Sequence, residues 1–125
     1  MKKAIVTDRA PAAMGPYSQG IETGNLVFVS GQIPINLRTG EMESADIAAA
    51  TRYSLENVSG ILAGAGLTME HIVKATIFLA DIADFAAVNE VYASFFTGAP
   101  PARSCFQVAA LPKGARVEIE AIAAR

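Results

Sequence analysis

The stretch PARSCFQVAALPKGARVEIEAI, Pro101 to Ile122, decides how this chain is read. Successive strand residues point to opposite faces, and the segment alternates on both sides of the Leu111-Pro112-Lys113-Gly114 break. Before the break Arg103, Cys105, Gln107 and Ala109 share one face, opposite Ser104, Phe106, Val108 and Ala110. After it Val117, Ile119 and Ala121 form an apolar face opposite Arg116, Glu118 and Glu120. The expectation is two adjacent strands whose polar sides bring the Arg103 guanidinium and the Glu118 carboxylate to one place, with Cys105 beside them. On an ordinary antiparallel pair such a side is a solvated outer face with a surface ion pair.

The rest of the chain argues against a simply solvated sheet. Lys3 to Thr7 reads as a short strand, ended by Asp8-Arg9-Ala10-Pro11. Gly15-Pro16-Tyr17-Ser18-Gln19-Gly20 fixes a backbone path and holds a tyrosine in a loop. Ser18 to Glu22 and Leu26 to Ser30 form a hairpin across Thr23-Gly24-Asn25. Ser44 to Ala65 carries Ile47, Thr51, Leu55, Val58, Leu62 and Ala65 at helical spacing, with Ser44 as cap and Gly64 and Gly66 at the end. Ile72 to Ala80 is a strand with Val73, Ala75, Ile77 and Leu79 on one face and Ile72, Thr76, Phe78 and Ala80 on the other. Asp84 to Thr97 is a second helix with Phe85, Val88, Tyr92, Phe95 and Phe96 in a stripe. Asn89 lies at the edge of that stripe, where its amide needs a partner.

About six strands and two helices make an α+β layer in which the helices cover one sheet face. Leu26 to Val29 and Ile72 to Ala80 are apolar on both faces, so the uncovered face is expected to be buried between copies of the chain. An arginine and a glutamate in such an interface are unfavourable unless paired or engaged with a ligand.

Composition narrows the function. The 125 residues are 52% hydrophobic and carry a net charge of −2. That describes one domain, with no basic cluster for a phosphate backbone and no apolar run long enough for a membrane span. The N-terminus MKKAIVTDRAP has no apolar export core, and a single cysteine fits a reducing, cytoplasmic setting without disulfides. The one histidine, His71, follows Thr68-Met69-Glu70 in a capped turn and has no second donor at metal-ligand spacing.

A guanidinium on a strand in a partly dry cleft matches a small carboxylic acid bidentately. A glutamate in the same cleft is a general base toward water once burial raises its pKa. Hydrolytic chemistry on a small acid follows from that pair. Cys105 as a nucleophile lacks a neighbouring histidine to activate it, and no phosphate loop, dinucleotide fingerprint or serine triad is present.

Gly15-Pro16-Tyr17-Ser18-Gln19, Ser30-Gly31-Gln32-Ile33-Pro34, Pro101-Ala102-Arg103-Ser104-Cys105, Leu111-Pro112-Lys113 and Glu118-Ile119-Glu120-Ala121-Ile122 together resemble the RidA (YjgF) family of enamine/imine deaminases over nearly the whole chain. The resemblance implies a chorismate-mutase-like fold, a homotrimer with clefts between subunits, and no cofactor. It implies hydrolysis of 2-aminoacrylate/2-iminopropanoate and 2-iminobutanoate to 2-oxo acids and ammonia. By the same resemblance Arg103 is the carboxylate anchor and Glu118 positions the attacking water. Cys105 offers its backbone carbonyl rather than its sulfur, Gly31 is a backbone donor, and Tyr17 and Asn89 line the pocket. The segment Gly98-Ala99-Pro100 is shorter than in many members, which implies a different pocket rim. A non-catalytic small-acid-binding or chaperone-like protein of the same fold is the alternative; action on RNA is disfavoured by the acidic balance.

Overall fold

The structure, a computed structural model, describes residues 1–125. Six strands run in the order β1 (Lys3–Ile5), β2 (Gly20–Thr23), β3 (Leu26–Gln32), β4 (Ile72–Leu79), β5 (Ala102–Gln107) and β6 (Val117–Ala124). Helices α1 (Ile47–Gly64) and α2 (Phe85–Ala93) precede β4 and β5 respectively. The sheet order is β1-β2-β3-β6-β4-β5, with β4 and β5 parallel and every other pair antiparallel. This is the expected mixed α+β sheet with two helices on one face.

Leu55, Val58, Ile61 and Leu62 of α1 and Val88 of α2 meet Val27, Ile77, Leu79, Val117 and Ile119 in a single core. These side chains are almost fully removed from water, each contributing roughly 1.5–3 kcal/mol. The hairpin turns on Gly24-Asn25, where Gly24 takes φ +56°.

Several local details differ from the sequence pattern. Helix α1 is capped by Asp46, not Ser44: its carboxylate accepts from Ala48 N at 2.9 Å and Ala49 N at 3.3 Å. Helix α2 stops at Ala93, so Phe95 and Phe96 turn back onto the core from beyond its end. Val73 was grouped with Ala75, yet it is 47% exposed. A β-bulge between Ile72 and Lys74 restarts the alternation, so Ile72 and Ala75 both point inward. Arg116 leaves the polar face of β6 altogether, donating to both Asp84 carboxylate oxygens at 3.0 Å and to Ala45 O at 2.9 Å.

The largest departure concerns the opening stretch. β5 and β6 are not neighbours, because β4 lies between them. Residues 108–116 therefore carry the chain past one strand rather than around a tight hairpin, and β5 is left at the edge of the sheet.

Helix α1 approaches the N-terminal segment closely at Gly60, where an added β carbon would lie 2.8 Å from the Arg9 carbonyl carbon. Gly60→Ala is expected to lower unfolding free energy by about 1–3 kcal/mol through this overpacking, as measured by urea denaturation. An unchanged midpoint would show that this contact does not constrain the helix.

Candidate active site

Arg103 and Cys105 sit opposite Ala75 and Ile77, two buried residues of β4, so both side chains face the helix layer. There Arg103 meets α2. Its Nη1 donates to Asn89 Oδ1 at 2.6 Å, and its guanidinium carbon stands 5.1 Å from the Tyr92 ring centre and 5.5 Å from that of Phe85. Phe85, Asn89 and Tyr92 follow one another at spacings of four and three, so one helix face presents all three to the strand. Cation–π contact of this kind strengthens as water is excluded.

Arg103 has no carboxylate partner. The chain's ion pairs are Arg116 with Asp84 and Arg125 with Glu22. The half-buried guanidinium has one amide oxygen and two ring faces, which leaves donors unused. It opens on a cleft of about 520 Å³ that Asn89, Tyr92, Phe96, Gly98, Pro101 and Arg103 help to line. An unneutralised fork of donors in such a cleft is an anion site.

The backbone of β5 adds to it. Val108 N donates to Leu79 O at 2.9 Å, and in a parallel ladder every second residue serves the neighbour. Ser104 and Phe106 thus bond β4, and Cys105 turns its N–H and C=O to the free edge. Burial pushes the Cys105 thiol above its usual range, against the opposing pull of Arg103. That shift disfavours the thiolate, the form in which sulfur acts as a nucleophile.

Glu118 lies elsewhere. Its neighbours Val117 and Ile119 point into the core, so Glu118 faces the side of the sheet that no helix covers. Arg103 and Glu118 of one chain are on opposite faces, contrary to the expectation that one chain brings them together. Alternation within each strand was legible; that β4 would separate them was not.

Around Glu118 the chain is shaped to receive a carboxylate. Ser30 and Gly31 form a bulge between Val29 and Gln32, and the Glu118 side chain crosses directly over Gly31. A β carbon there would lie 2.8 Å from Glu118 Cδ and still closer to Oε2. Only glycine leaves that space. Ser30 Oγ donates to Ser18 O at 2.6 Å, which ties the loop carrying Tyr17 to the same corner. Tyr17 itself is 53% exposed. Burial raises the Glu118 pKa above the ordinary carboxylate range, and the nearby Glu120 charge raises it further. Between the ordinary and the raised value the folded chain holds a proton that the unfolded chain has released. Stability from this group is therefore present at low pH and lost as pH rises through the raised value.

The named residues thus fall into two groups: Arg103, Asn89 and Cys105 on the helix side, and Glu118 over Gly31 on the uncovered side, with Tyr17 in the loop tied to that corner through Ser18. Phe85 and Tyr92 belong to the first group although the sequence marks them only as core stripe. Their spacing from Asn89 was the available signal. No three His, Cys, Asp or Glu side chains gather to hold a metal ion, and no helix is long and apolar enough to cross a membrane.

Comparison with known proteins agrees with this architecture. The profile of the Endoribonuclease L-PSP family matches residues 7–125. The 2-iminobutanoate/2-iminopropanoate deaminase of Escherichia coli K12 is 54% identical over 128 aligned positions, covering 100% of this chain and 99% of that protein. The crystal structure of the YjgF gene product from E. coli superposes with a TM-score of 0.95 at 53% identity over 98% of both chains. E. coli TdcF with bound serine superposes at 0.94 with 52% identity, again over 98% of both. On sequence and structure together, the chain belongs to the Endoribonuclease L-PSP family, the family of YjgF, to which its motifs pointed.

Proposed function

We propose that this protein is a hydrolytic deaminase of small enamine/imine acids, releasing ammonia and 2-oxo acids, and that it works as a cytoplasmic homotrimer without a cofactor. The observation that carries the reading is the half-buried Arg103 guanidinium, oriented by Asn89, Phe85 and Tyr92 and left without an anion. The names of its E. coli relatives and the serine held by TdcF, itself a small amino acid, fit a ligand with one carboxylate.

Catalysis on this reading needs Arg103 of one copy and Glu118 of a neighbour. The uncovered face favours that assembly: Leu26, Phe28, Val73 and Phe106 are exposed on the isolated chain, and Phe28 and Ile122 pair across β3 and β6. Apolar area of this kind is stabilised by burial against another copy. Closing the face would desolvate Glu118 more, raising its pKa further.

Arg103 grips the substrate carboxylate, and the Cys105 carbonyl accepts from the substrate nitrogen. The enamine gains a proton at its terminal carbon and gives one up at nitrogen, becoming the imine. Glu118, as carboxylate, removes a proton from water while the oxygen bonds to the imine carbon, and the proton is then available to the nitrogen of the resulting carbinolamine. Glu118 then carries the hydroxyl proton to the nitrogen as the C–N bond breaks, so that ammonia leaves and the 2-oxo acid remains. Tyr17 and Gly31 border the water side of the cleft. The Glu118 carboxyl, held above the ordinary carboxylate range by burial, favours catalysis over a non-catalytic binding protein of the same fold.

Arg103→Ala is expected to reduce ammonia release from freshly generated 2-aminoacrylate by at least about a thousandfold while the assembly stays folded, since substrate positioning and charge are both lost. Cys105→Ala should keep most activity; complete loss with intact structure would instead favour a thiol nucleophile. Because Glu118 must be ionised to act, activity should rise with pH through its raised pKa. In Glu120→Gln, which removes the like charge, the acid limb of the kcat/KM profile should move to lower pH; an unmoved limb would take Glu118 out of the role of base. Analytical ultracentrifugation should give a trimer, and a monomer at working concentration would leave each Arg103 without its Glu118.

A further inference from the structure

Residues 97–101 carry the chain from α2 to β5 along the mouth of the Arg103 cleft, and Gly98, Pro100 and Pro101 line it. This rim makes no backbone–backbone hydrogen bond, and Pro100 and Pro101 have no N–H to donate. All its hydrogen bonds run to one side chain. Glu70, in the Met69–His71 turn before β4, accepts from Thr97 N at 3.1 Å, from Gly98 N at 3.2 Å and from Thr97 Oγ1 at 3.4 Å. An added β carbon at Gly98 would stand 3.1 Å from Glu70 Oε1, so glycine lets the backbone close on the carboxylate. The Thr97 N–H, helped by that of Gly98, holds the Glu70 carboxyl below its usual range against some desolvation. At neutral pH the rim is therefore tied by charge-assisted bonds, stronger than neutral ones.

The tether matters because Phe96, Pro100 and Pro101 make this side of the cleft largely apolar. Apolar lining gains free energy by leaving water, and the Glu70 bonds are the hydrogen bonds that oppose a collapse of the rim.

We infer that Glu70 is a positioning residue whose carboxylate fixes the 97–101 rim at the mouth of the cleft, keeping the cleft open to substrates whose side chain extends beyond the Arg103-bound carboxylate. This rests on the cleft being the substrate site proposed above.

Glu70→Ala and Glu70→Gln in the full-length protein test it, with two readouts. One is backbone amide exchange at Thr97 and Gly98. The other is KM and kcat for ammonia release from an imine with a methyl side chain and from one with a branched four-carbon side chain. Glu70→Ala should lose amide protection and raise KM for the long imine about tenfold, with kcat and the short imine's KM within about twofold, a split that marks lost binding rather than lost chemistry. Glu70→Gln, which keeps one acceptor oxygen, should fall between. Unchanged exchange, or an equal change in KM for both imines, overturns the inference. Should the wild-type protein release ammonia from neither imine, the deaminase reading fails, and the rim is judged on affinity for the two matching 2-oxo acids. A loss in Glu70→Ala confined to the longer acid then supports it, and equal affinities overturn it.

Discussion

A guanidinium withdrawn from water without a counter-ion raises the free energy of the fold unless its surroundings are built for it. Around Arg103 they are. The chain leaves β4, forms α2 and returns as β5 parallel to β4, so the strand carrying Arg103 lies beneath the helix made just before it. Phe85, Asn89 and Tyr92 come from that helix, and their rings and amide oxygen meet a charge that no carboxylate neutralises. The unit is local in sequence, within residues 72–107, and is held in the sheet through the pairing of β4 with β6.

The position of β5 has a second consequence. As the edge strand it is paired on one side only, and alternate residues turn their backbone groups outward. The Cys105 carbonyl is available for that reason, while burial disfavours its thiolate. What Cys105 offers to the edge of the sheet is thus backbone rather than sulfur.

The uncovered face follows a different logic. Phe28, Phe78, Phe106 and Ile122 make it apolar, and Phe78 and Phe106 meet edge to face with ring centres 5.4 Å apart. Glu118 emerges among them over the gap left by Gly31. A carboxylate in apolar surroundings resists ionisation, and burial raises the Glu118 pKa accordingly.

The amino-acid order determined the elements and most of their faces, because period-two and helical spacing are local properties: α1, the hairpin and the apolar core of β4 and β6 were all legible in it. The Val73 bulge, the Asp46 cap and the early end of α2 were missed because competing local signals differ by about 1 kcal/mol or less. Strand neighbours are a non-local matter. Nothing between Arg103 and Glu118 announces that β4 will enter between their strands, since that choice is made by which apolar faces pack best under α1 and α2. Tertiary structure alone therefore decided that the two residues stand on opposite faces of one sheet.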